Sequence, residues 1–251
     1  MIKLFLAILM LMLSAASRAE TAGQDALLSS FMSYADLRIV SVAHSIEILA
    51  SSDEAKSGDW LRIKRLLGVY QRADDGFALW YLRTDGSYYT VDKGLMNASL
   101  ADRDYFPGLI AGRSVTGSLV ISKSTGRRSA VIAVPIFRHG KVTGAIGASL
   151  FLDNLADRIA SMLKLPGDAG FFALAPDGRT TLHLKTERHF LDPRELGSET
   201  LKAAVDEMLA NDAGELGYEF DDATKRAIYR TSPVTGWKFA ISFGAAGAPL
   251  R

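Results

Sequence analysis

Five consecutive residues, Asp102-Arg103-Asp104-Tyr105-Phe106, carry the densest chemistry in the chain: a guanidinium between two carboxylates, then two aromatic rings. A guanidinium meets a carboxylate in a planar, two-pronged contact, so Arg103 is a candidate anchor for an anionic or polar acceptor group. The bland alternative is a solvated arginine. Tyr105 and Phe106 are adjacent and point to different sides. Tyr105 is the one expected in a pocket, because its hydroxyl needs a partner when buried. Lys123 lies in Ser122-Lys123-Ser124-Thr125-Gly126. It reads equally as an edge charge that discourages sheet-to-sheet pairing and as a ligand or gate residue. The same run has turn chemistry.

Catalytic patterns are poor. Ser161 and Lys164 have Ser-x-x-Lys spacing, but the lysine run beginning at Lys123 precedes them where it should follow. No Gly-x-Ser-x-Gly and no Gly-x-x-x-x-Gly-Lys-Ser/Thr phosphate loop occurs. His183 and His189 have a spacing that suits neither a helix face nor the usual metal motifs, and they read as a solvated loop. His44 reads as a polar-edge helix residue. Zero cysteines exclude disulfides, zinc thiolates and a thiol nucleophile. No catalytic residue, metal or cofactor is expected, and the chain is read as a non-enzyme.

The elements that must position Arg103 follow from periodicity. Residues 24–52 read as a long helix, with Leu28, Phe31, Met32, Ala35, Ile39, Val42, Ile46 and Leu49 on one stripe. A second helix begins after Asp59 as N-cap and turns Trp60, Ile63, Leu66, Leu67 and Tyr70 inward. Residues 77–83 and 87–91 read as strands joined by the turn Thr84-Asp85-Gly86. A polar connection leads to a short helix expected from Leu100 to Pro107, capped by Asp102. Strands at 118–123, 129–138 and 141–152 follow, then a helix at 152–163. The order then recurs: strands at 170–175 and 179–184 around Asp177-Gly178, a helix at 198–211, and strands at 215–221, 225–231 and 237–243. Two modules thus each run strand, turn, strand, helical connection, three strands. The expected class is α+β, with antiparallel sheets flanked by helices. The other face of each sheet is free to form a pocket under its longest connection.

The first residues read as a leader. Lys3, the apolar run 4–13 and small residues up to Ala19 match a secretory signal peptide cut after Ala19. Its apolar run is short for a membrane span, and no other span is expected, so no membrane insertion after cleavage. The full chain has 29 basic and 28 acidic residues. That balance gives no reason for nucleic acid or an anionic lipid surface as partner.

The run 102–106, then Gly117 to Gly126, Ala133-Val134-Pro135 and Gly144 to Leu150, in that order, resemble the double Cache family of extracytoplasmic sensor domains. Gly170-Phe171-Phe172, Asp177-Gly178 and Thr235-Gly236-Trp237 resemble its membrane-proximal half. The resemblance covers the chain after the leader. It implies a long N-terminal helix beside two PAS-like modules, with ligand in the membrane-distal one. The boundaries it implies are a signal peptide at 1–19, a helical stalk at 20–75, a distal module at 76–152, a connecting helix at 153–167, a proximal module at 168–244 and a tail at 245–251. The stand-alone, secreted subset of the family is the nearer match.

Amino-acid-binding members use an Arg-x-aromatic-aromatic run for the ligand carboxylate, then a tyrosine and two aspartates, the latter for the ammonium. Arg103, Tyr105 and Phe106 match the run. Val120, Ser122 and Ser149 stand where the tyrosine and two aspartates would be. A desolvated ammonium needs strong acceptors, so their loss argues against an α-amino acid. Arg103 with Lys123 suits a carboxylate or other polar acceptor, and Trp80, Tyr88 and Tyr105 wall the implied pocket. Trp80 alone reads first as core, and Trp237 as structural. The expected partners are a small organic ligand, a membrane receptor or kinase, and a second copy. Two other functions compete: an interaction protein that dimerises through the long helix, and a secreted hydrolase, for which no nucleophile stands out.

Overall fold

A computed structural model describes residues 2–167 and 169–244, with side chains from Thr21 onward. The expected leader at 1–19 lies where no side chains are described, and the tail at 245–251 lies outside the described residues. Helix α1 runs from Ile2 to Ser51. Its stripe is buried as the spacing requires: Phe31, Ala35 and Ile39 are wholly enclosed. The stretch Thr21–Ser51 has the length and composition of a membrane span. Its apolar stripe is nonetheless spent on the two sheets, which makes it a core helix.

Two short helices follow, α2 (Asp53–Ser57) and α3 (Trp60–Ala73). Asp59 caps α3 as expected, accepting from the Leu61 N–H at 2.8 Å. Ile63 and Leu67 are buried, whereas Tyr70 is exposed, contrary to its expected inward position.

The first sheet has six antiparallel strands: β1 (Phe77–Arg83), β2 (Ser87–Thr90), β3 (Gly94–Ser99), β4 (Val115–Ile121), β5 (Arg128–Arg138) and β6 (Lys141–Phe151). Their spatial order is β3-β2-β1-β6-β5-β4. Strand β3 was not expected. Its residues alternate between half-buried and exposed, and Gly94 and Asn97 give it little β character, so it reads as polar connection. Helix α4 is Phe106–Ile110. The helix expected to start at Leu100 with Asp102 as cap therefore starts later. Pro107 is favoured in the first turn of a helix, which fixes the start there. Asp102 pairs instead with Lys123.

Helix α5 (Leu152–Leu163) leads to the second sheet: β7 (Gly170–Leu174), β8 (Thr180–His183), β9 (Ala213–Phe220), β10 (Ala223–Thr231) and β11 (Lys238–Gly244), in the order β8-β7-β11-β10-β9. Apart from β3, the two orders are the same, so the repeat read from the sequence is a structural one. Helix α6 (Glu199–Ala210) is capped by Ser198, which accepts from the Leu201 N–H at 3.2 Å.

Strand alternation divides each sheet into two faces. Leu79, Tyr81, Ile146 and Ala148 of the first sheet join Phe171, Phe239 and Ile241 of the second in one core under α1. The opposite faces carry separate cores. One contains Trp80, Leu82, Tyr88, Val131 and Ala145, and the other Leu174, Leu201, Val205, Tyr218 and Ala240. The stretch of α1 around Phe31 serves the second sheet: Phe31 packs on Phe171 and Phe239 at 4.7 and 4.8 Å between ring centres. Further along, Arg38 bonds Asp74 and lies over Phe77 of the first. Gly117, at a bulge in β4 with φ +81°, faces Thr235 and Trp237 so closely that a Cβ there would lie 3.3 Å from the Thr235 methyl.

Candidate functional site

The side chains on the outer face of the first sheet converge by register. Trp80 pairs across with Thr90 and Gly147, and Leu82 with Tyr88. Ser149 pairs with Val131 on β5. Alternation therefore turns Trp80, Tyr88, Val131 and Ser149 to one side. Over them lies the connection 100–105. It is held at its base by the Asp85-Gly86 turn, where the Gly86 carbonyl accepts from the Leu100 N–H at 2.9 Å and the Ser99 hydroxyl at 3.1 Å. Gly86 has φ +87°, and a Cβ there would meet Ala101 at 2.6 Å, so only glycine fits.

All seven expected site residues, Trp80, Tyr88, Arg103, Tyr105, Ser122, Lys123 and Ser149, line one hollow. Leu100, Val120, Ser124 and Val131 complete it. Of these, Val131 and Ser124 carried no individual signal. Strand alternation supplies one, since Val120, Ser122 and Ser124 step in twos, as do Val131 and Ala133.

The hollow is tight, about 10 Å³, enough for about one water. Two latches hold its cover down. One Arg103 amino group donates to the Ile121 carbonyl at 2.7 Å. The Lys123 ammonium donates to Asp102 at 2.6 and 2.7 Å and to the Ser99 carbonyl at 2.7 Å. Lys123 thus acts at the rim, and its hydrogen bond holds the Asp102 carboxyl below its ordinary range.

Inside, Trp80 Nε1 donates to Ser149 Oγ at 3.2 Å, and the Ser122 and Ser124 hydroxyls are 3.2 Å apart. The indole lies flat on Gly147, where a Cβ would come within 2.1 Å of the ring. Among the described residues, two buried side-chain polar atoms lack a well-formed hydrogen bond: Arg103 Nε and the Tyr88 hydroxyl, which has only a weak contact with the Ser124 hydroxyl. Burial pushes the Tyr105 hydroxyl up to about 12, with Arg103 opposing. The Tyr88 hydroxyl is also raised by burial, against Arg103 and the nearby Ser124. Both phenols are therefore neutral donors at physiological pH. No described carboxylate lines the hollow; Val120, Ser122 and Ser149 face it.

A second cavity is larger, about 340 Å³, and lies on the equivalent face of the second sheet. His183 is among its lining residues, and His189 is buried, its Nε2 accepting from the His183 N–H at 3.2 Å. The expected solvated loop is thus packed structure. The chain from 184 to 191 folds back so that the Phe190 N–H donates to the Thr180 carbonyl at 2.7 Å. Among the described residues no group of histidines and carboxylates is arranged for a metal.

The extracellular domain of rpHK1S-Z16, assigned as a histidine kinase, superposes with a TM-score of 0.75 at 17% identity, covering 92% of this chain and 97% of that one. The fold is that of a double Cache sensor domain. The ligand-binding domain of the Pseudomonas fluorescens chemoreceptor CtaA, in complex with L-serine, matches with a TM-score of 0.70 at 15% identity over 92% of this chain and 98% of that one. That of the Campylobacter jejuni chemoreceptor Tlp3, in complex with L-valine, gives 0.67 at 14% identity over 92% and 95%. No protein-family model and no curated protein matches the sequence. At these identities the likeness establishes the double Cache architecture.

Proposed function

We propose that this protein is a non-catalytic, extracytoplasmic small-molecule sensor or binding protein, and that its first module, the distal one, takes a small carboxylate or similar acceptor-bearing molecule. One observation carries the proposal: Arg103 Nε and the Tyr88 hydroxyl are buried, lack a well-formed hydrogen bond and line one hollow. An unmade buried bond costs about 1–3 kcal/mol, and a guest oxygen placed between these groups relieves both. The chemoreceptor domains above are described with L-serine and L-valine bound. In this chain, Ser122 and Ser149 leave an ammonium without an anionic partner in the hollow, which favours a ligand lacking that group.

The hollow opens by releasing the Arg103–Ile121 and Lys123–Asp102 latches. Ligand then selects the open arrangement only as far as it binds it better than the closed one. A thermal-shift screen of small carboxylates, amines and purines tests this. A true ligand at 100 times its Kd adds about 2.7 kcal/mol of stability. Arg103→Ala is expected to weaken carboxylate binding more than about tenfold with melting unchanged. Unchanged affinity removes Arg103 from the site.

A second function is favoured by the outer side of α1, where Leu37, Val40 and Ile48 are exposed at 68, 46 and 54%. A second copy packed there makes the long helix a dimer interface. Sedimentation of Leu37→Lys beside the parent checks it: a monomer from a dimeric parent supports the interface, and an unchanged state removes it.

A further inference from the structure

The larger cavity, on the outer face of the second sheet, is built differently from the first. One wall is apolar, with Phe172, Phe220, Leu201 and Val205. The lining is also cationic, with Lys185, Arg188 and Lys225 against the single described carboxylate, Asp221. Among the described residues neither Lys185 nor Lys225 has an ion-pair partner.

The decisive geometry is at His183. Its Nδ1 accepts from the Lys185 N–H at 2.8 Å, which leaves the proton on Nε2. Nε2 lies 3.4 Å from Arg188 Nη1, and in the tautomer selected by the Lys185 contact both are donors. The other Arg188 amino group is held by Asp221 at 3.0 Å, and the guanidinium lies over the Phe220 ring at 4.5 Å. Arg188 is therefore fixed in place, at 19% exposure of its side chain. A carboxylate oxygen on the cavity side of this pair, about 2.9 Å from each nitrogen, accepts from both.

We infer that the second module carries its own ligand site, which binds a small carboxylate with an apolar or aromatic body. The acid group sits between His183 and Arg188 and the body lies along Phe172 and Phe220. The cavity is within the ~300–1,000 Å³ range of small-molecule pockets. This site is independent of Arg103.

Titration calorimetry of the full chain with phenylacetate and its neutral isostere phenylacetamide tests the inference. The acid is expected to bind at least about tenfold tighter than the amide. Arg188→Gln is expected to weaken the acid by about tenfold or more. His183→Asn is a second, gentler variant: Asn Oδ1 replaces Nδ1 as acceptor for the Lys185 N–H and only the Nε2 donor is lost. It is expected to weaken the acid too, with melting retained. The titrations and both variants are made in the Arg103→Ala chain, so that carboxylate binding by the first module does not enter them. Equal affinity for acid and amide in that chain, unchanged affinity in both added variants, or no binding up to roughly 10 mM overturns the site. Because the first module's anchor is absent throughout, failure here is separate from failure of the first module's site.

Discussion

Arg103 uses one amino group on the Ile121 carbonyl and leaves Nε buried without a partner. No described residue accepts a well-formed hydrogen bond from Nε or from the Tyr88 hydroxyl beside the same hollow. Under the proposed function, a guest oxygen supplies the acceptor that both lack. Tyr88→Phe therefore carries a definite sign. Removing an unsatisfied hydroxyl is expected to leave stability unchanged or raise it by about 1 kcal/mol, while weakening ligand binding. Chemical denaturation of both forms, followed by titration of the carboxylate found in the screen, checks both halves. A large loss of stability means the hydroxyl has a partner in solution.

At the scale of elements, the site is a product of register. Trp80, Gly147 and Ser149 come together because β1 and β6 pair antiparallel, and the indole occupies the space a side chain at 147 would fill. Gly147→Ala is expected to cost about 1–3 kcal/mol by overpacking and to change Trp80 fluorescence. An unchanged midpoint and spectrum would mean that the ring sits elsewhere. The strands, the Asp59 cap, the α1 stripe and the repeat were legible because each has a local period or a local cap. The convergence of Trp80, Tyr88, Ser122, Lys123 and Ser149 on Arg103 came through family resemblance, since cross-strand register has no local signal. Strand β3 and the start of α4 were missed for physical reasons. An edge strand with Gly94 and Asn97 lacks an apolar period. Asp102, which looked like a cap, found a stronger partner in the Lys123 ammonium. The His183–His189 segment looked polar in sequence, yet His189 is enclosed through contacts that arise only when the chain folds back on Thr180.

Across the whole molecule, α1 joins two sheets of one topology, each with a hollow on the face turned away from it. The second module's buried histidines leave a mark on global stability. Burial, with Arg188 next, lowers His183 from 6.5 to about 4, and burial lowers His189 as well. A depressed histidine is neutral in the fold, so above pH 6.5 it contributes no pH dependence. Below that, the unfolded chain takes up the proton first, and stability falls until the folded pKa is reached. For His183 the loss is roughly 2–3 kcal/mol between pH 6.5 and about 4. Melting of the protein and of His183→Asn across this window checks it. The variant should lose less, and parallel curves would mean that His183 is not held neutral.

The central claim is that Arg103 and Tyr88 await an acceptor. A crystal structure of the protein with the carboxylate giving the largest thermal shift tests it most directly. The expected result is a guest in the first module's hollow, an oxygen within about 3 Å of Arg103 Nε, and the 100–105 cover displaced outward. A guest bound only elsewhere, with Arg103 still on Ile121 and the hollow still holding no more than a water, contradicts it.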